Sequence, residues 1–380
     1  MLIGVVLAFV GRGIVNDHSD IYVLAIAAIF ISSAWFLSVS LHLHTAILEI
    51  LLGIFASYLG LYEVDILKTL SVMGGVFLMF LAGIEVDIYL IRRFIYRSII
   101  IGLAGFFIPF TLVTTCLFII GYNLIESIVA AASISITGVA LVYAMLRRVG
   151  PIRRAWSQII LASAMLTDIV GLLIIMMFIT GANIMALLYP LLMAAVIIFL
   201  PKLIRHIPRH LEGEVEVRII IMLLLVLILL SEIMGVHAVL SAFIFGIAVS
   251  EFVKARMLVE EKIKALIFGF LAPIFFYGAG LKIKIEALLN GIILALVVTS
   301  IVFVSKITVL RLLLERVLGF KSYTIPGLFL VNIVVSIVAA TAGLETGILS
   351  ETMYNVIIAS SLILTITGAL MTRTIPAVEE

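Results

Sequence analysis

The stretch 157–181 reads SQIILASAMLTDIVGLLIIMMFITG. It is long enough to cross a bilayer as a helix. It is apolar apart from small hydroxyls and one charge, Asp168, near its middle. A carboxylate at that depth costs about 2.5–3.5 kcal/mol on insertion scales. Nothing local offsets the cost, because the nearest basic residues, Arg153 and Arg154, lie outside the span. Asp168 is therefore protonated, paired with another helix, or paired with an ion. Ala164, Thr167 and Gly171 lie within one turn of it, and Ser163 shares a face with Thr167. Small residues admit a neighbouring helix closely, and hydroxyls offer oxygen ligands to a hard cation. A hydrogen-bonded acid joining two helices is the plain reading. An ion or proton path is the functional one, and intramembrane carboxylates favour it.

Working outward, the 380 residues are 64% hydrophobic with a mean hydropathy of +1.37. No soluble domain hides that much apolar surface, so this is a polytopic membrane protein, with the lipid bilayer as its medium. The net charge of +2 gives no argument for nucleic acid. The single cysteine, Cys116, permits no disulfide framework within the chain. The histidines His18, His42, His44, His206, His210 and His237 have no metal-site spacing with a carboxylate or cysteine. No bound cofactor is expected.

Hydrophobic runs bounded by charge or turn residues give thirteen spans. They are 21–41, 45–62, 69–90, 98–122, 128–146, 157–181, 184–204, 219–234, 235–253, 267–283, 291–314, 325–343 and 353–372. Alternate connections carry the basic residues: Arg92, Arg93 and Arg97; Arg147, Arg148, Arg153 and Arg154; Lys202, Arg205, Arg209 and Arg218. Lys254, Arg256, Lys262 and Lys264 follow on the same side, then Arg311, Arg316 and Lys321, then Arg373. The opposite side has only Lys68, Lys282 and Lys284. The positive-inside rule then starts the first span outside and places the C-terminus in the cytoplasm of a plasma-membrane protein.

Thirteen spans divide as six, one and six. Two sets of six separated by one span enter the membrane from opposite sides, which is an inverted repeat. The expected fold is an all-α single membrane domain over 1–380. Its first repeat is 21–181, its linking helix 184–204 and its second repeat 219–372, with the placement of 1–20 open. Matching positions of the two repeats are unusual. The fifth span holds Ser133, Ser135, Thr137 and Gly138; the twelfth holds Asn332, Ser336, Thr341 and Gly343. Ordinary small-residue packing explains either alone. As a matched pair beside Asp168 they point to two broken helices whose ends face an ion. Lys306 is a second charge inside a span, either snorkelling to the interface or placed near Asp168. Glu85 and Asp87 read as interfacial partners of Arg92 and Arg93. Glu49 lies inside the second span, and Glu232 reads as interfacial.

Five stretches together resemble the monovalent cation:proton antiporters, in the branch that includes bacterial sodium/proton antiporters and glutathione-gated potassium efflux systems. They are ILEILLGIFASYLGL (47–61), VFLMFLAGIEVDIYLIRR (76–93), LASAMLTDIVGLLII (161–175), LAPIFFYGAGLKI (271–283) and VSKITVLRLLLERVLGF (304–320). The resemblance implies an inverted-repeat fold, a homodimer, and exchange of Na+ or another monovalent cation for H+. It makes Asp168 the cation and proton carrier, puts Lys306 at the family's membrane lysine and sets Thr137 at the crossing of the broken helices. Thr167 stands where many relatives have Asp or Asn, and Gly138 where some have an acid. Around Asn332 the relatives' arginine-glycine-glutamate is replaced. Stoichiometry and the choice among Na+, K+ and Li+ stay open. Lys306 is expected to pair with Asp168, since Thr167 offers no charge. A channel lacks a continuous polar path, and an aspartyl membrane protease lacks its second aspartate. A relative that keeps the fold as a sensor without transport remains an alternative.

Overall fold

The computed structural model describes residues 20–41, 45–61, 64–86, 93–149, 155–180, 213–234, 238–283, 285–319 and 324–372. Every regular element among them is helical. In chain order these are α1 (Asp20–Leu41), α2 (Thr45–Tyr58), α3 (Asp65–Glu85), α4 (Ile95–Ile120), α5 (Leu124–Ser135), α6 (Val139–Val149) and α7 (Ala155–Thr180). Then come α8 (Gly213–Ile233), α9 (Ala238–Lys254), α10 (Met257–Leu266), a π-helical turn Ile267–Leu271 and α11 (Ala272–Leu281). The last are α12 (Ile285–Leu318), a 3-10 segment Ile325–Leu330, α13 (Ile333–Glu345) and α14 (Glu351–Thr372).

These elements fall on twelve of the thirteen expected spans; the linking span 184–204 and the six histidines lie outside the described residues. Eight are long and apolar enough to cross a membrane unaided, and α2 and α5 are shorter apolar helices. The tenth span starts earlier than hydropathy suggested, because MLVEEKIKAL is itself a good helix with Glu260 four residues before Lys264. It runs unbroken from Met257 to Leu281. Pro273 would collide with the carbonyl four residues back, and the wider π turn just before it relieves the clash.

By internal packing the chain divides into two units. The first comprises Met1–Leu78 and Glu261–Asn290. Its core joins Val23, Ala27 and Phe30 of α1 to Ala56, Leu67, Ile274, Tyr277 and Leu281. Here α2 lies directly on α11. A Cβ on Gly53 would sit 2.2 Å from the Tyr277 carbonyl oxygen, and one on Gly280 2.2 Å from that of Ile50. One turn further, Ser57 Oγ donates to the Ile283 carbonyl (3.2 Å). The contacts advance together along both helices, so they run parallel.

The second unit comprises Met79–Glu260 and Gly291–Glu380. It contains the same contact again, between α3 and α9. A Cβ on Gly83 would lie 2.1 Å from the Phe243 carbonyl oxygen, and one on Gly246 2.2 Å from that of Phe80. Beyond it, Lys254 Nζ donates to the carbonyls of Val86 (3.0 Å) and Glu85 (3.2 Å). The first contact joins the second and tenth spans, and this one joins the ninth and third. An inverted repeat of six spans maps one pair onto the other. A lysine serves as the cap at the end that the charge pattern assigns to the cytoplasm, and a serine at the other. Because backbone meets backbone at these glycines, Gly83→Ala is expected to cost about 1–3 kcal/mol or more. Thermal unfolding in detergent measures this, and an unchanged midpoint would contradict the contact.

The expected interruptions are present. Helix α5 ends at Ser135, and Ile136 turns extended at φ −58°, ψ 158°. The run Ile134, Ile136, Thr137, Gly138 is rich in β-branched residues and glycine, the weakest helix formers after proline. In the twelfth span a 3-10 segment opened by Pro326 ends at extended Val331 (φ −84°, ψ 113°), and α13 begins after Asn332. The two breaks touch: Gly138 N–H donates to the Val331 carbonyl (2.7 Å).

Candidate functional site

Lys306, the ends of two half-helices and Asp168 converge at the crossing of the two broken helices. The packing around it is apolar, through Ile101 of α4, Ile160 and Ala164 of α7, Leu310 of α12 and Phe329 of the 3-10 segment. Against that background every polar atom is conspicuous.

Asp168 is 1% exposed. Its Oδ2 accepts from Val139 N–H (3.2 Å), the first residue of α6. A half-helix N-terminus carries partial positive charge and unpaired N–H groups, so a carboxylate belongs there. The other oxygen, Oδ1, is buried with no hydrogen-bond partner in the protein. The residue thus has one oxygen fixed and one free.

Thr167 sits on the same turn, facing the break. Its Oγ1 accepts from Thr137 N–H (3.3 Å) and lies 2.7 Å from the Ala164 carbonyl, to which it donates. Thr137 Oγ1 donates to the Phe329 carbonyl (3.0 Å), tying the first break to the 3-10 segment. Asn332 Nδ2 donates to the Ile134 carbonyl (2.6 Å), and Ser336 Oγ to that of Ser133 (2.6 Å). These two residues stitch the second broken helix to the first. Gly138 lies at the first break, where a Cβ would make ordinary van der Waals contact with the Val331 carbonyl oxygen (3.4 Å) and Asn332 Cα (3.7 Å) of the second.

Ser163 is not brought to the carboxylate. Its Oγ donates to the Ile159 carbonyl of its own helix (2.7 Å), where α4 presses on α7 at Gly102. Back-bonding of this kind is the ordinary state of a buried helical serine.

Lys306 is fully buried. The structure does not make the ion pair with Asp168 that the sequence suggested. Its ammonium donates instead to the carbonyls of Phe329 (2.7 Å) and Ile136 (3.1 Å) and to Thr137 Oγ1 (3.2 Å). The physical reason lies in the breaks. Where α5 and the 3-10 segment end, carbonyl oxygens lose their helical donors and concentrate partial negative charge. An ammonium has three donors and no acceptor, so it satisfies all three oxygens at once. The crossing therefore sets the Asp168 carboxyl group at a half-helix N-terminus and a lysine at two C-terminal ends.

Glu85 ends α3 and read as interfacial in the sequence. Glu49 is 5% exposed within the first unit.

Over residues 24–375 the chain matches the family described as sodium/hydrogen exchanger, transmembrane. It is 29% identical over 259 residues to a Methanocaldococcus jannaschii protein named "Probable Na(+)/H(+) antiporter 3", covering 64% of this chain and 67% of that one. It is 25% identical over 275 residues to the Bacillus cereus "Na(+)/H(+)-K(+) antiporter GerN", covering 69% and 70%. Its fold is similar to the solved sodium proton antiporter MjNhaP1 of Methanocaldococcus jannaschii. The TM-score is 0.64 at 16% identity, over 98% of this chain and 96% of that one. A family match along nearly the whole described chain, on a fold with two crossing broken helices, makes this protein a member of the transmembrane sodium/hydrogen exchanger family.

Proposed function

We propose that the protein is a secondary antiporter exchanging Na+ or Li+ for H+ by alternating access, with Asp168 as the carrier. The observation that carries this reading is the buried carboxylate with one oxygen fixed by Val139 N–H and the other unpartnered. Such a group takes a proton or a cation, because either one neutralises it in an apolar surround. It cannot take both, and that exclusion couples the two fluxes. Thr167 and Thr137 hold the crossing in register beside it, and Thr137 O, with the free Oδ1, supplies oxygen to an arriving cation. Lys306 and the half-helix ends fix the background charge. Ser163, bonded into its own helix, keeps only lone pairs to offer.

The repeats 21–181 and 219–372, joined by 184–204, would supply the two arrangements needed for access from either side. A homodimer in the plasma membrane with a cytoplasmic C-terminus completes the proposal. The relatives' names support Na+ and H+, and that of the Bacillus protein adds K+, so K+/H+ exchange is the second reading. Proteoliposomes loaded with a pH dye test it. External Na+ or Li+ should drive proton efflux above empty-vesicle background. Efflux with K+ alone favours the second reading, and none with any cation favours a non-transporting relative.

A further inference from the structure

Helices α6 and α13 both start at the crossing, in opposite repeats. The start of α6 is held by a side chain of α7, through Val139 N–H to Asp168 Oδ2 (3.2 Å). The start of α13 is held by a side chain of α14, through Asn332 N–H to Thr365 Oγ1 (3.4 Å). On the proposed repeat, the sixth and thirteenth spans correspond, and Thr365 takes the capping place that Asp168 takes. One half-helix has a charged cap and the other a neutral one.

The neutral end has hydrogen-bonding capacity left over. Asn332 makes no side-chain cap to α13, because its amide is turned to the Ile134 carbonyl. The first-turn N–H groups of α13 have no intrahelical partners. Asn332 Oδ1 has no partner in the protein, nor has Ser361 Oγ, one turn from Thr365 on the same face. Asn332 and Ser361 are fully buried, and Thr365 is 1% exposed. A cation finds no charge among these three side chains, and an anion would face the lone pairs of Asn332 Oδ1. A ligand that accepts from N–H and O–H groups and donates to an amide oxygen is water, which needs two to four such partners in a buried site.

We propose that Asn332, Thr365 and Ser361 form a buried water site that caps the second broken helix as Asp168 caps the first. The site positions the carrier indirectly. It fixes Asn332, next to the Val331 carbonyl that accepts from Gly138 N–H, and the residue after Gly138 holds Asp168. Thr365 is thus a positioning residue.

The test is a solvent-resolving structure of the full chain in nanodiscs, with Na+ affinity measured on the same samples. The affinity arm rests on Asp168 being the carrier; the density arm does not. Wild type should show water within hydrogen-bond reach of Thr365 Oγ1 and Asn332 Oδ1. Thr365→Val should lose it and weaken apparent Na+ affinity about fivefold, the worth of one buried hydrogen bond, with little change in maximal rate. Thr365→Ser should keep both. Wild-type density with Thr365 Oγ1 donating straight to Asn332 Oδ1 and no water between would overturn the site. Water present but unchanged Na+ affinity in Thr365→Val would overturn the positioning role.

Discussion

Asp168→Asn is expected to abolish exchange in proteoliposomes, leaving proton flux at the level of empty vesicles, while the protein stays folded and inserted. The reasoning starts from the fixed oxygen. Asparagine keeps an acceptor for Val139 N–H, so the cap on α6 survives. It carries no charge and takes no proton in this range, so it neither holds a cation against a proton nor releases one. The structural cost is small, since a buried polar group replaces a buried charge with its hydrogen bond intact; thermal stability should move by about 1 kcal/mol or less. Dye-monitored exchange with a melting curve on the same preparation checks both halves. Exchange at wild-type rates in this variant would remove Asp168 from the mechanism.

Lys306→Met is expected to show the opposite profile: a large loss of stability, with Asp168 and its hydrogen bond from Val139 N–H still in place. Methionine preserves the length of the side chain and removes all three donors. The Phe329 and Ile136 carbonyls and Thr137 Oγ1 then face each other without the ammonium that joined them. Each buried acceptor deprived of its donor costs about 1–3 kcal/mol. The Phe329 carbonyl keeps the Thr137 hydroxyl, so the total expected is roughly 3 kcal/mol, the loss of one oxygen being partly relieved. Lys306→Gln, with two donors, should fall between methionine and wild type. Thermal unfolding of the three proteins in one detergent gives the order. A methionine variant as stable as wild type would mean that the lysine does not clamp the crossing.

The contrast between these residues shows what the sequence could and could not convey. Asp168 was legible because its cost is local: a charge in an apolar run needs an explanation wherever the run goes. The breaks were legible for a related reason. Clusters such as Ile136-Thr137-Gly138 are poor helix in any context, and they recur at matching places. The partner of Lys306 was not legible. It depends on where two helices stop to within one residue, and on carbonyl oxygens, which every residue type carries alike. A search among side chains could offer only Asp168. Ser163 shows the converse. Its hydroxyl is near the carrier in sequence, yet a helical carbonyl one turn back is nearer still. The early start of the tenth span at Met257 escaped because hydropathy sees lipid, whereas α10 owes its helicity to charged pairs as well.

The central claim is that one carboxylate holds either a cation or a proton. The most direct measurement is the apparent Na+ affinity of purified wild-type protein as a function of pH. In the range where Asp168 is mostly protonated, one-proton competition predicts that each unit of acidification weakens that affinity about tenfold. An affinity that stays constant from about pH 5 to pH 8, with exchange intact, would contradict a shared site.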